Sequence, residues 1–299
     1  MTWMTELTLL LAAQQFTPNL LQDLCEMLSF DFMRYAFLAG TVLAIVAGLV
    51  GYFVVLRNLV FATDALSHVT FAGALGAAIV GTEPLLGLYG ATTLVALGMG
   101  ALGPRVRARD VEVGTVLAWV LGLGVLFLSI YTSKPSASNS SIGVTYLFGS
   151  IFGLEEKQAQ QVAVVGVGAI VVLLAIARPL LFASIDPEVA AARGVPVRSL
   201  SAVFLVLVAI SVAEAVPAVG ALLSSALLVT PAAIAQRLVA RPFVALLLSA
   251  VLALAFTWIG LTIGFYAPYP VSFIISALAF TSYVLVVTWQ RVWANYFPS

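Results

Sequence analysis

The chain is made of long apolar runs broken by single charges or short polar turns, and this pattern limits what it can become. The runs are Tyr35–Leu56, Ala62–Val80, Leu85–Leu102, Val113–Tyr131, Ala159–Leu181, Leu200–Val216, Val219–Leu238, Phe243–Gly264 and Val271–Trp289. A helix of about 20 apolar residues crosses the hydrocarbon core of a bilayer. The runs lack the strict alternation of barrel strands. Charged residues make up 9% of the chain and hydrophobic ones 62%, against about 25% charged in soluble domains. So few charges cannot cover a water-facing surface. The expected fold is all-α, a polytopic membrane helical bundle of about nine transmembrane helices. The number falls to eight if the segment around Pro217 is merged or re-entrant.

The basic residues orient this bundle. Arg57, Arg105, Arg107, Arg109, Arg178, Arg193, Arg198, Arg237, Arg241 and Arg291 fall in alternate connections, whereas Arg34, Lys134 and Lys157 fall on the other side. An excess of arginine marks the cytoplasmic face. The expectation is a multi-pass protein of the cell membrane with an external N-terminus and a cytoplasmic C-terminus. Residues 1–33 read as an external or interfacial segment, since the run Leu7–Ala13 is short and no basic stretch precedes it. Residues 34–299 form the transmembrane domain. The serine-rich loop Thr132–Ser141 reads as an exposed external turn. The segment Val144–Gly153 reads as a short external or re-entrant helix, because both its ends lie outside.

Ionisable groups inside membrane spans are costly and usually mark a functional site. Asp64 and His68 lie four residues apart in an apolar run, and His68 is the only histidine. On a helix that spacing puts both on one face. A carboxylate with an imidazole suits manganese, zinc or ferrous iron. The alternative is an interhelical hydrogen-bonded pair that only holds the bundle together. Glu214, near the outer end of its span and just before Pro217, is a weaker candidate for the metal, since it could snorkel to the interface. A site with so few ligands suits a conduit, from which the ion must leave as readily as it enters. Ser67 reads as a packing residue, because neighbours on a helix do not face each other.

The chain has no GxxxxGK[ST] phosphate loop, and Cys25 is its only cysteine. Any use of ATP therefore belongs to another subunit, and no cysteine-based zinc site can form. The cytoplasmic connection around 184–198 holds the sequence Asp186-Pro187-Glu188-Val189-Ala190-Ala191-Ala192-Arg193-Gly194. It reads as a short capped helix, with Asp186 at the N-cap, Pro187 in the first turn and Gly194 as the stop.

These stretches together resemble the permease subunits of ABC-type importers for manganese, zinc or iron. The matching motifs are GYFVVLR at Gly51–Arg57, DALSH at Asp64–His68 followed by Gly73, LFGSIFG at Leu147–Gly153, DPEVAAARG at Asp186–Gly194 and VGALLSSALLVTPAAIA at Val219–Ala235. The resemblance implies a homodimeric bundle that is not itself an enzyme. Each copy would dock one cytoplasmic ATPase subunit through a coupling helix formed by Asp186, Pro187, Glu188, Arg193 and Gly194. An extracytoplasmic metal-binding protein would deliver a divalent metal, manganese, zinc or iron, to a path lined by Asp64 and His68. No permanently bound cofactor and no nucleic-acid partner are expected. Two other readings remain open on the residues: an ABC permease for an iron chelate, which would want a wide, ligand-poor cavity, and an ion-coupled secondary transporter, which would need no ATPase.

Overall fold

Helices account for all the regular structure among the described residues, and no strand occurs there. The structure is a computed structural model that describes residues 27–101, 106–133, 141–267 and 269–296. In chain order the helices are α1 (Asp31–Leu56), α2 (Val60–Val80), α3 (Pro84–Ala101), α4 (Val106–Thr132), α5 (Ser141–Phe148), α6 (Glu156–Ile185), α7 (Pro187–Ala192), α8 (Val197–Val219), α9 (Ser224–Leu238), α10 (Pro242–Tyr266) and α11 (Val271–Tyr296). A 3-10 turn, Ile151–Gly153, follows α5. Most of the expected N-terminal segment, residues 1–26, and most of the serine-rich loop, residues 134–140, lie outside the described residues. Lys134 and Arg105 lie there too.

The helices divide into an enclosed centre and an exposed rim. In α1 and α8, 72% of the apolar window is buried inside the protein, against 17% in α4, so α1 and α8 are central and α4 faces outward. α1 packs on α6, α8, α9 and α10, while α2 packs on α3, α4 and α8. Two close approaches set this arrangement. At Gly51 a side chain would overlap the Leu228 carbonyl, so α1 and α9 touch backbone to backbone. Gly73 and Gly87 meet in the same way between α2 and α3. Lipid tails are as apolar as leucine, so helices in a bilayer gain from such dense packing. The glycine-rich motifs of the sequence are therefore packing surfaces.

The two ends of the bundle differ in charge. At one end Arg57 donates from Nη2 to Ser201 Oγ at 2.5 Å, joining the end of α1 to the start of α8. At the same end Gln236 Nε2 donates to the Tyr52 carbonyl at 2.8 Å, and Gln290 Nε2 donates to the Arg237 carbonyl at 2.8 Å. At the opposite end Phe30 packs on Phe265 with ring centres 5.9 Å apart, and Ser272 Oγ donates to the Phe148 carbonyl at 2.9 Å. The end bearing Arg57, Arg198 and Arg237 is thus opposite the end bearing Arg34 and Lys157, which is the segregation the arginines suggest.

Of the roughly nine expected spans, not all reach the length of a full membrane crossing. Among the described residues, seven helices are long and apolar enough to cross a membrane: α1, α2, α4, α6, α8, α10 and α11. α3 is apolar but short, and α9 has 15 residues. At about 1.5 Å per residue, α9 spans about 22 Å, less than a hydrocarbon core of about 30 Å. The reason lies at the turn before it. α8 continues through Pro217 to Val219, and the chain then reverses at Gly220, whose φ is +95°. The reversal uses residues that the hydropathy pattern assigns to the next span. α6 differs in the other direction, running 30 residues from Glu156 to Ile185 with Pro179 inside it. α7 follows directly at its end, with Ala190 packed into the core.

Candidate functional site

α2 is held at a fixed rotation by its small polar residues. Ser67 Oγ shares a hydrogen bond of 2.8 Å with Ser224 Oγ of α9, and Thr70 Oγ1 shares one of 2.9 Å with Thr92 Oγ1 of α3. The Ser67 and Thr70 hydroxyls also lie against the carbonyls of Thr63 and Leu66, one turn back. Every hydroxyl in this group is therefore satisfied, as burial requires. Toward α4, Phe61 lies over Gly114 and Phe71 over Gly124. These contacts occupy the packed sides of α2 and confirm Ser67 as a packing serine.

Asp64 and His68 are both partly buried, between fully buried Thr63, Ala65, Leu66 and Ser67. Their spacing places them one above the other on the helix. No hydrogen bond or ion pair joins either of them to another described residue. It is a carboxylate and an imidazole on one face, with capacity left to bind. Among the described residues no three His, Cys, Asp or Glu side chains come together as a metal cluster.

Glu214 therefore does not join the pair. It sits on α8 at 1% exposure. Its Oε2 points toward Gly166 of α6, where an added Cβ would lie 3.4 Å away. The snorkelling that its place near a helix end suggests does not occur, because α1 and α6 close over it.

The cytoplasmic connection is a helix capped at both ends. Asp186 Oδ1 accepts a hydrogen bond of 3.0 Å from the Val189 amide, and Pro187 occupies the first position. At the far end the Val195 amide donates to the Ala190 carbonyl and the Gly194 amide to the Ala191 carbonyl, both at 3.0 Å. This pair of bonds is the Schellman motif, and Gly194 supplies its left-handed residue with φ +84°. Ala190 is fully buried and anchors α7, while Glu188, Val189 and Arg193 are exposed. The result is a rigid knob on the arginine-rich end, joined to the bundle by α6 and α8.

One feature of the opposite end is not resolved in the sequence beyond the motif LFGSIFG. The Ala221 amide donates to the Tyr146 carbonyl at 2.9 Å, and the Ser150 amide to the Pro217 carbonyl at 3.0 Å. Gly149, with φ +77°, and Gly220 lie backbone against backbone. The end of α5 is thus stitched to the α8–α9 turn, and the unsatisfied carbonyls of each are used by the other. The two glycines were the available signal, but nothing local pairs them.

The fold recurs in a solved structure, and the sequence has named relatives. The solved structure of PsaBC from Streptococcus pneumoniae in complex with Fab superposes with a TM-score of 0.78 over 90% of this chain and 95% of that one, at 24% identity. The manganese import system permease protein ScaB of Streptococcus parasanguinis is 29% identical over 79% of this chain and 82% of its own length. The manganese transport system membrane protein MntC of Halalkalibacterium halodurans is 26% identical over 75% of this chain and 76% of its own. The family model described as the ABC 3 transport family matches residues 29–290, nearly all of the described bundle, and the chain belongs to that family.

Proposed function

We propose that this chain is the membrane permease subunit of an ATP-binding-cassette importer and passes a divalent transition metal into the cytoplasm. The observation that carries the reading is the Asp64–His68 pair, partly buried on one face of α2 and without a partner among the described residues. The carboxylate offsets the charge of an ion that has lost part of its hydration, and the imidazole adds a nitrogen ligand that favours transition metals over calcium or magnesium. Manganese is the favoured cargo, because relatives spanning most of the chain are named as manganese permeases. Zinc and iron accept the same ligands. Two ligands hold an ion briefly, as transport requires.

The exposed side of the pair suits a second copy of the chain, which would close the path around the metal. The α7 knob suits a cytoplasmic ATPase subunit, one on each copy. Asp186, Pro187, Glu188, Arg193 and Gly194 would form that contact or hold its shape. An extracytoplasmic metal-binding protein would load the opposite end. On this reading α3 and α9 are short passes that bring the total to about nine. The N-terminus lies outside and residues 34–299 form the permease domain. The complex of this chain with the ATPase tests the reading in lipid vesicles. Manganese uptake that requires ATP supports it. Uptake without nucleotide, or a chain that binds no ATPase subunit, contradicts it.

A further inference from the structure

Ser224 opens α9, and the chain around it is pinned. The Ala221 amide donates to the Tyr146 carbonyl at 2.9 Å, the Leu222 amide to the Leu147 carbonyl at 3.3 Å and the Ser224 amide to the Gly220 carbonyl at 3.0 Å. The Ser224 hydroxyl is therefore a fixed point. It meets Ser67 of α2, the residue before His68, at 2.8 Å. From α3, Thr92 meets Thr70, which follows His68 on α2, at 2.9 Å. Each of these hydroxyl side chains is fully buried.

Ser67 and Thr70 lie about 60° apart around the axis of α2, by its 3.6 residues per turn. Different helices hold them, so α2 cannot turn about its axis without straining these bonds. Apolar packing holds a helix in place but has no direction of its own. Side-chain ends stand about 5–6 Å from a helix axis, so a turn of about 10° moves Asp64 and His68 by about 1 Å. Metal–ligand distances are met to within about 0.2 Å, and a misplacement of about 1 Å can cost about 100-fold in rate. Ligand geometry also decides which transition metal is preferred. We propose that Ser224 and Thr92 are positioning residues for metal transfer: they fix the rotation of α2, and with it the rate and the choice of metal, without touching the ion. The proposal rests on the reading of Asp64 and His68 as the metal pair.

The hydroxyls can be removed cleanly. Ser67 keeps the Thr63 carbonyl at 3.1 Å and Thr70 the Leu66 carbonyl at 2.8 Å, so Ser224→Ala and Thr92→Val leave no buried hydroxyl unsatisfied. The test follows manganese and zinc uptake by the complex with its ATPase in lipid vesicles. The control is Ser249→Ala, which removes a buried hydroxyl bond of the same kind, from α10 to the Gly48 carbonyl of α1 at 2.7 Å. Ser224→Ala combined with Thr92→Val should lower kcat/KM for manganese about tenfold or more and change the manganese-to-zinc ratio. It should also weaken manganese binding without nucleotide, read by paramagnetic resonance. Ser249→Ala should change neither the ratio nor the binding, and Thr92→Ser, which keeps the hydroxyl, should match the wild type. A double variant indistinguishable from Ser249→Ala in ratio and binding would overturn the proposal, because the hydroxyls would then only pack the bundle. Should the double variant fail to assemble, Ser224→Ala alone must change the ratio, and an unchanged ratio would refute the role. Asp64→Asn separates the two claims. Normal uptake in Asp64→Asn removes the metal reading and this proposal with it; lost uptake there, with unchanged hydroxyl variants, removes this proposal alone.

Discussion

The short helix α7 offers the clearest energetic prediction, because its two caps can be removed without disturbing anything else. Nothing lies within 4 Å of a Cβ built on Gly194, so Gly194→Ala introduces no clash. Its cost is the left-handed φ of +84°, about 1 kcal/mol or slightly more for a residue with a Cβ. Asp186→Ala removes the bond to the Val189 amide at 3.0 Å, and loss of an N-cap costs about 1 kcal/mol. The six residues of α7 form one cooperative unit, so the two costs add to about 2 kcal/mol. That is about a 30-fold rise in the local opening equilibrium. Hydrogen exchange of the amides of residues 189–195, followed by mass spectrometry, reads this directly. Each single variant should exchange about fivefold faster and the double variant about 30-fold faster. Gly194→Asn should fall between wild type and Gly194→Ala, since asparagine tolerates the left-handed region. If α7 is the ATPase contact, ATPase binding should weaken in the same order. Wild-type exchange in Gly194→Ala would refute the argument, because the Schellman motif would then contribute nothing.

Other predictions follow from packing and orientation. Gly87→Leu should prevent α2 and α3 from meeting at Gly73 and sharply reduce the yield of folded protein in detergent extracts, whereas Gly90→Leu, with open space around it, should not. In a double-mutant cycle, Ser67→Ala and Ser224→Ala should show a coupling of about 0.6 kcal/mol in thermal melts, the usual worth of an interhelical hydrogen bond in a membrane protein; zero coupling would mean the 2.8 Å contact is incidental. In a Cys25→Ala background, an impermeant thiol reagent should label Glu83→Cys from outside and Ser199→Cys only after permeabilisation. The reverse pattern would invert the topology and move α7 to the wrong side. Glu188→Lys should leave the exchange of α7 unchanged while weakening ATPase binding, which separates the surface of the knob from its stability.

What the sequence reveals here depends on how local the cause is. The α7 helix is legible because its caps, Asp186 and Gly194, lie within the same nine residues and act on neighbouring amides. The Asp64–His68 pair is legible for the same reason, since helical spacing alone brings the two together. The shortness of α9 is not legible. It depends on the turn at Gly220 being held by carbonyls of α5, which lie far away in the chain. The surroundings of Glu214 are hidden in the same way. A glutamate near a helix end reads as a snorkelling side chain until Gly166, in a different helix, is seen to leave the gap that encloses it. Hydropathy reports which segments prefer lipid but carries no record of which helices touch, so a count of runs overstates the helices long enough to span.

Manganese uptake into vesicles holding the assembled complex measures most directly whether the Asp64–His68 pair is a step in metal transfer. Asp64→Asn keeps the size of the side chain and removes its charge; His68→Ala removes the only imidazole. Each should reduce the initial rate at least about tenfold, equivalent to about 1.4 kcal/mol, with ATPase binding intact. The double variant should be little worse than either single one, because groups that share one ion act as a unit. Wild-type rates in both single variants would contradict the account and place the metal path elsewhere in the bundle.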